Sequence, residues 1–198
     1  MIKKITILFS LLLASCIQNT ESTNNYLDYS SKEDKLSGGV KIIQIQTPSG
    51  KFNVWTKRIG NNPTKKVLLL HGGPGANHEY FQAADSYFPK ESIEYYYYDQ
   101  LGSSFSDKPK DNSLWTIERF VDEVEQVRLG LGLNENNFII LGHSWGGILG
   151  IEYALKYQDK MKALIISNMV PSIPDYIKYA NEVLAPKLDP IVLKKIRE

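Results

Sequence analysis

The order of apolar and polar positions along the chain predicts a hairpin followed by buried strands. Residues 40–47 and 51–58 alternate apolar and polar side chains around Pro48-Ser49-Gly50, as two antiparallel strands joined by a turn do. Further strands are predicted at 67–70, 93–99, 138–141 and 163–167. Most of these runs are apolar throughout, which is typical of parallel strands covered on both faces, so we expect 163–167 to be buried as well. We interpret the tyrosines of 93–99 as structural, with buried rings and hydroxyls at polar edges.

Helical periodicity fills the intervals between these strands. Thr116 is a suitable N-cap for a helix that Gly130 or Gly132 ends. Its apolar face is formed by Ile117, Phe120, Val121, Val124 and Val127. Helical segments are also predicted near 80–86 and from 145 to about 157. Strands and helices therefore alternate, which predicts an α/β fold with a mostly parallel sheet and an opening antiparallel hairpin.

The pattern changes after Met169. Pro171-Ser172-Ile173-Pro174 precedes a helical stretch at 175–184, and Asp189-Pro190 is suited to start another that runs to Glu198. We expect a sheet domain at 40–169 and the beginning of a helical cap at 170–198. Two ordinary C-terminal helices packed on the sheet are the alternative.

The first 39 residues predict export and anchoring. Met1-Ile2-Lys3-Lys4 and the apolar run 5–14 have the pattern of a signal peptide and are too short to span a bilayer. Leu13-Ala14-Ser15-Cys16 resembles the bacterial lipobox, which implies cleavage after residue 15 and lipidation of Cys16. Residues 16–39 are mostly polar and are predicted to form a flexible tether. We therefore expect a protein of the bacterial cell envelope, lipid-anchored on a periplasmic or outer-surface face; a chance cysteine behind an ordinary signal peptide is the alternative.

Composition narrows the possible partners. The formal net charge of +1 and the isoelectric point near 7.7 do not favour a polyanionic partner, so we expect no binding of nucleic acid. Cys16 is the only cysteine, which leaves no thiol for catalysis or for a zinc site once it is lipidated. We expect no metal and no cofactor.

The candidate chemistry is concentrated in Gly142-His143-Ser144-Trp145-Gly146, between a predicted strand and a predicted helix. A serine on so sharp a turn needs small residues two positions before and after it, and both positions are glycine. The pattern is that of the nucleophile elbow of hydrolases, with Ser144 as nucleophile. The Trp145 backbone N–H, at the start of the helix, is expected to face the negative charge that develops during acyl transfer. An ordinary glycine-flanked loop is the alternative.

Two further motifs, together with the elbow, resemble the proline iminopeptidase family of α/β hydrolases, including the tricorn-interacting aminopeptidases. His71-Gly72-Gly73-Pro74-Gly75 resembles the family's glycine loop, and Asp99-Gln100-Leu101-Gly102-Ser103-Ser104-Phe105-Ser106 resembles its D-Q-x-G-x-G-x-S loop, with Ser104 where a second glycine is usual. The likeness covers 40 to about 185. It implies an α/β-hydrolase fold and peptide substrates with a free N-terminus, typically proline. It also implies that the Gly73 N–H completes the oxyanion hole and that the other loop residues shape the substrate site: His71, Gly72, Pro74, Gly75, Asp99, Gln100 and Gly102.

A general base is not apparent in the sequence. The histidines are His71, His78 and His143, and none follows Ser144, whereas the triad order of this fold is Ser, then Asp or Glu, then His. We interpret His143 as structural and place His78 in an exposed stretch. The triad acid and base are expected beyond Glu198, so the chain is predicted to be the N-terminal part of a longer enzyme, incomplete at the C-terminus and inactive alone.

Three interpretations of function remain open at this point. The first is a serine aminopeptidase that releases N-terminal proline. The second is another α/β hydrolase, acting on esters or lactones. The third is a non-catalytic, truncated envelope lipoprotein.

Overall fold

A computed structural model describes residues 39–197 and has the α/β architecture that the sequence predicts. The strands are β1 (Val40–Thr47), β2 (Gly50–Ile59), β3 (Lys66–Leu70), β4 (Glu94–Asp99), β5 (Phe138–His143) and β6 (Ala163–Ser167). The α-helices are α1 (Ile117–Gly130), α2 (Trp145–Tyr157), α3 (Ile173–Tyr179) and α4 (Pro190–Arg197). Short 3₁₀ helices lie at Glu79–Ser86, Phe88–Glu91, Asn112–Leu114, Gln158–Lys160 and Ala185–Lys187, and a π-helical turn at Ala180–Leu184.

The strands form one sheet in the order β1-β2-β4-β3-β5-β6. β1 pairs with β2, and β2 with β4, in antiparallel directions, whereas the β4–β3, β3–β5 and β5–β6 pairs are parallel. In the β3–β5 pair, Leu70 lies opposite Gly142, so the segments that follow both strands leave the same edge of the sheet. The carboxyl ends of parallel strands are where ligands bind in open α/β sheets.

The core lies on both faces of the sheet, as the uninterrupted apolar strands require. Leu68 and Leu70 of β3 belong to the cluster that α1 and α2 cover, whereas Val67 and Leu69 point to the opposite face, where Phe81 covers them. This alternation follows from the two-residue period of a strand. A run that is apolar at every position can therefore fill both layers.

The four tyrosines of β4 are buried, and each hydroxyl donates to a carboxylate. Those of Tyr95 and Tyr97 donate to Asp85, that of Tyr96 to Glu94, and that of Tyr98 to Glu123. Burial raises the pKa of the Tyr97 and Tyr98 phenols, which keeps them neutral donors. The structural interpretation of this run is thereby confirmed.

The expectation that 163–167 is buried was wrong for the described part of the chain. Ile165 and Ile166 are 46% and 47% exposed, because β6 pairs with β5 on one side and has no neighbour on the other among residues 39–197. The edge nonetheless has the apolar character that its sequence indicates.

Several predictions on the chain ends stay predictions. The signal peptide, Cys16 and the tether up to residue 38 lie outside the described residues. Between 39 and 197, no helix is long and apolar enough to cross a membrane. The segment after β6 is largely helical, as predicted, while its role as part of a cap has not been tested.

Candidate active site

Ser144 lies on a strained turn between β5 and α2. Its backbone angles are φ 54° and ψ −121°, a combination that non-glycine residues rarely adopt and that persists only where neighbouring structure enforces it. The Ser144 N–H donates to the Ser167 carbonyl oxygen at 3.0 Å, which fastens the turn to the end of β6. The side chain is partly exposed at the carboxyl edge of the sheet.

The flanking glycines are required by the space around the turn. A Cβ atom on Gly142 would lie 2.2 Å from the Gly146 carbonyl oxygen, and one on Gly146 would lie 2.0 Å from the Leu70 carbonyl oxygen. Both contacts are with backbone atoms, which cannot rotate away as the end of a side chain can. The turn therefore needs glycine at both positions.

The glycine loop after β3 lies directly against the elbow. A Cβ on Gly72 would be 3.0 Å from Ser144 Cβ and 3.4 Å from Ser144 Oγ. Gly73 follows with φ 117°, a conformation that favours glycine, and the Gly73–Pro74 peptide is cis. Gly73, Pro74 and Gly75 are exposed, whereas Gly72 is buried. Within the described chain, neither the Gly73 nor the Trp145 backbone N–H has a hydrogen-bond acceptor.

His71 is buried and held in its neutral form. Its Nδ1–H donates to the Gly72 carbonyl oxygen at 2.9 Å, and its Nε2 accepts the Gln100 backbone N–H at 3.0 Å. A proton on Nε2 would face that N–H, and burial lowers the pKa of the imidazole. Both ring nitrogens are occupied, so His71 supports the loop and has no free nitrogen for proton transfer.

Gln100 joins three strand ends beneath the site. Its Nε2 donates to the His71 carbonyl oxygen at 2.9 Å, and its Oε1 accepts the Trp145 Nε1–H at 3.0 Å. The side chain is buried, and the Trp145 ring packs edge-on against Phe120 of α1. The ends of β3, β4 and β5 are therefore connected through one side-chain amide.

Asp99 is fully buried and serves as an acceptor for two loops. Its Oδ1 accepts the backbone N–H of His78 at 3.0 Å and lies 2.8 Å from His78 Nδ1, while its Oδ2 accepts the Phe105 N–H at 3.2 Å. The expectation that His78 is exposed was wrong: it is 5% exposed, because its ring packs between Trp55 and Tyr97 and binds Asp99. The Asp99 carboxylate thus holds the segments on either side of the site.

In the D-Q loop (residues 99–106), serine replaces a glycine that is usual in the family, at a position where the backbone conformation favours glycine. Ser104 has φ 33°, and Gly102 has φ 94° with its Cα packed on the Trp115 ring, which a Cβ would approach to 2.9 Å. Ser104 therefore adopts a left-handed conformation that glycine adopts without strain.

Tyr80 is a site residue that the sequence does not reveal. Its hydroxyl accepts the Gly72 N–H at 2.7 Å and lies 3.2 Å from His143 Nδ1. No motif includes it, because its importance comes from contacts across the fold. With His143 next to Tyr80, and His71 and His78 bound as described, no imidazole among residues 39–197 forms a hydrogen bond with Ser144 Oγ.

Metal ligands do not assemble in the part of the chain that the structure describes. No group of three or more His, Cys, Asp or Glu side chains there is arranged to hold an ion. The chemistry available at this edge of the sheet is that of a serine hydroxyl, two free backbone N–H groups and the surrounding loops.

A strand, a strained serine turn and a helix at the carboxyl edge of a mostly parallel sheet define an α/β hydrolase. A family model described as alpha/beta hydrolase fold matches residues 65–188. Proline iminopeptidases from Flavobacterium johnsoniae and Elizabethkingia meningoseptica are 59% and 56% identical over 79% of this chain, and over 53% and 52% of their own lengths. The crystal structure of a proline iminopeptidase from Mycobacterium smegmatis superposes with a TM-score of 0.65 at 28% identity, covering 76% of this chain and 50% of that one.

The chain belongs to the α/β-hydrolase family, and its similarity to the proline iminopeptidases supports the resemblance seen in its motifs. It spans about half the length of the curated relatives it matches.

Proposed function

We propose that this protein is a serine aminopeptidase that releases N-terminal residues, preferentially proline, through an acyl-enzyme on Ser144. The observation that carries the proposal is the strained turn of Ser144, with Gly72 against its side chain and unpaired N–H groups at Gly73 and Trp145. The preference for proline is taken from the relatives, which are named proline iminopeptidases.

In this mechanism Ser144 Oγ attacks the carbonyl carbon of the N-terminal residue. The Oγ–C bond forms while the hydroxyl proton passes to a general base. The carbonyl oxygen becomes an oxyanion, which accepts hydrogen bonds from the Gly73 and Trp145 N–H groups. The C–N bond then breaks as the base returns the proton to the leaving amine. Water repeats the sequence on the acyl-enzyme and releases the amino acid. Each oxyanion donor typically contributes about 10²–10³ in rate.

The general base in this proposal is none of His71, His78 and His143. Each has another hydrogen-bond partner, and two of them are buried away from the serine hydroxyl. We propose that the base and its acid lie outside these 198 residues. A polypeptide of these residues alone is then expected to be inactive, since removal of a triad base typically lowers turnover by about 10⁶.

The test is the Ser144→Ala variant of the complete gene product, assayed on proline 4-nitroanilide and on its N-acetylated form. We expect the parent to cleave the free-amine substrate and the variant to be inactive. The matched control is Ser86→Ala, which changes an exposed serine of the 3₁₀ helix Glu79–Ser86 and should leave activity unchanged. Activity that survives Ser144→Ala would refute the mechanism. Equal cleavage of the blocked substrate, or turnover of esters or lactones alone, would instead identify a different hydrolase.

We further propose that the protein is anchored in the cell envelope through lipid on Cys16. Support comes from the Leu13-Ala14-Ser15-Cys16 sequence behind a basic and apolar leader. Two or more acyl chains would make anchoring stable, whereas one is marginal. Cys16→Ser should move the protein from the membrane fraction to the soluble fraction while Ser15→Ala, a change to a small residue, should not. Retention of Cys16→Ser in membranes would contradict the proposal.

A further inference from the structure

Tyr80 connects the two segments that carry the proposed oxyanion donors. Its phenol oxygen is 2.7 Å from the backbone nitrogen of Gly72, the residue before Gly73, and 3.2 Å from Nδ1 of His143, the residue before Ser144. Its own helix, Glu79–Ser86, belongs to neither segment. One side chain therefore spans the gap between the glycine loop and the elbow.

The direction of the hydrogen bond between Gly72 and Tyr80 follows from the two partners. The Gly72 N–H can only donate, so the Tyr80 oxygen accepts it. In the His143 tautomer that carries its proton on Nε2, the phenol proton of Tyr80 is donated to His143 Nδ1. Burial raises the pKa of Tyr80 above its usual value, with the Gly72 hydrogen bond acting in the opposite direction, so the phenol stays protonated.

The sheet itself does not hold the glycine loop at this point. Strand pairing between β3 and β5 ends at Leu70 and Gly142, before either proposed donor. Gly73, with φ 117°, has wide conformational freedom in the absence of a restraint. The Tyr80 ring is 41% exposed and contacts the rings of Phe81 and His143, with centroid distances of 4.5 Å and 5.1 Å.

We propose that Tyr80 is a positioning residue for the oxyanion hole: by holding Gly72 and His143 together, it sets the separation of the Gly73 and Trp145 N–H groups. The inference rests on the proposed function of Ser144 as nucleophile. Tyr80 acts through the two backbone segments and has no part in proton transfer. Its loss should therefore weaken transition-state binding more than substrate binding.

The test is Tyr80→Phe in the complete gene product, which removes the hydroxyl and keeps the ring. We expect kcat on proline 4-nitroanilide to fall about 10- to 100-fold, because small misplacement of a catalytic group costs rate on that order. KM should stay within about twofold, as expected when ground-state binding is unchanged. Inhibition by prolinal, whose adduct with serine forms an oxyanion, should weaken in parallel with kcat/KM.

The matched control is Tyr87→Phe. It removes the hydroxyl of a nearby tyrosine that is 68% exposed and has no hydrogen-bond partner for that hydroxyl among residues 39–197. Its kinetic constants should equal those of the parent. Thermal unfolding of both variants checks that they fold. If Tyr80→Phe does not fold, His143→Phe, which replaces the imidazole and so removes the contact of Nδ1 with Tyr80, must lower kcat without changing KM.

Two results would overturn the inference. The first is a parent-like kcat for Tyr80→Phe, where a raised KM would indicate contact with the substrate. The second is loss of activity without weaker binding of prolinal. Labelling of Ser144 by a fluorophosphonate and hydrolysis of 4-nitrophenyl acetate are measured alongside, since both need the oxyanion hole and neither needs N-terminal proline. If the parent does not cleave proline substrates but the fluorophosphonate labels Tyr80→Phe more slowly than the parent, the aminopeptidase proposal is rejected and the positioning role of Tyr80 is retained. If the parent reacts with none of these probes, both the aminopeptidase proposal and the role of Tyr80 are rejected.

Discussion

At the elbow, the space available to a Cβ atom determines which residue can occupy each position. Gly142 and Gly146 lie where backbone carbonyls approach within 2.2 Å and 2.0 Å of the position that a Cβ would occupy. Gly150, about one turn further along the same helix, has different surroundings. A Cβ there would lie 2.9 Å from Leu164 Cδ1, which is the end of a flexible side chain. The same substitution by alanine should therefore cost far more stability at Gly146 than at Gly150.

Gly146→Ala should destabilise the protein by about 3 kcal/mol or more, because the end of β3 must move to admit the methyl group. Gly150→Ala should change stability by less than about 1 kcal/mol, since the higher helix propensity of alanine offsets a small shift of Leu164. Urea unfolding of both variants measures the difference. Equal stability of the two would contradict the steric account.

At the scale of elements, α1 holds the loop after β4 through one buried carboxylate. Glu123 Oε1 accepts the Leu101 N–H at 2.8 Å and the Tyr98 hydroxyl, and Oε2 accepts from Arg119. Burial lowers the pKa of Arg119 to about 10, which still leaves it charged at neutral pH. The helix, the strand and the start of the D-Q loop are thus joined at a single ion pair.

Glu123→Gln should destabilise the protein by about 2–3 kcal/mol, because it leaves the buried Arg119 charge without its counter-ion. Glu118→Gln removes the same charge from an exposed position of α1 and should cost less than about 0.5 kcal/mol. Thermal unfolding at neutral pH compares the two. A smaller loss for Glu123→Gln than for Glu118→Gln would refute the proposed role of the ion pair.

The elements that the sequence predicts well are those whose pattern depends on local geometry. Thr116 caps α1 by accepting the Arg119 N–H, and the alternation of 40–47 matches the observed hairpin. Burial of β6 and of His78 was predicted wrongly, because each depends on partners distant in sequence. Tyr80 could not be predicted for the same reason: its contacts with Gly72 and His143 exist only after β3 and β5 have paired.

At the scale of the whole molecule, the described chain has an apolar sheet edge on one side only. β1, at the opposite edge, is paired with a hairpin partner and alternates exposed with buried residues, whereas β6 presents Ile165 and Ile166 half exposed. An unpaired apolar strand is a template for association.

A polypeptide of these 198 residues expressed by itself should therefore associate through β6. Ile165→Lys should shift it towards monomer in sedimentation velocity, since a charge on an edge strand opposes pairing. Leu155→Lys adds the same charge on α2, at a side chain that is 79% exposed, and should have the smaller effect. Equal effects of the two would indicate a general gain in solubility and contradict association through the strand edge.

The strand order also determines the order in which the strand pairs of the sheet can form. β3 lies between β4 and β5 in the sheet, yet it precedes both in the sequence. The β1–β2 hairpin can form as soon as it is made, whereas β3 waits for residues 138–143 before both of its edges are paired. Until β5 pairs with it, β3 has one open edge beside the apolar residues 67–70, so partly folded forms of the chain expose a site for misassembly.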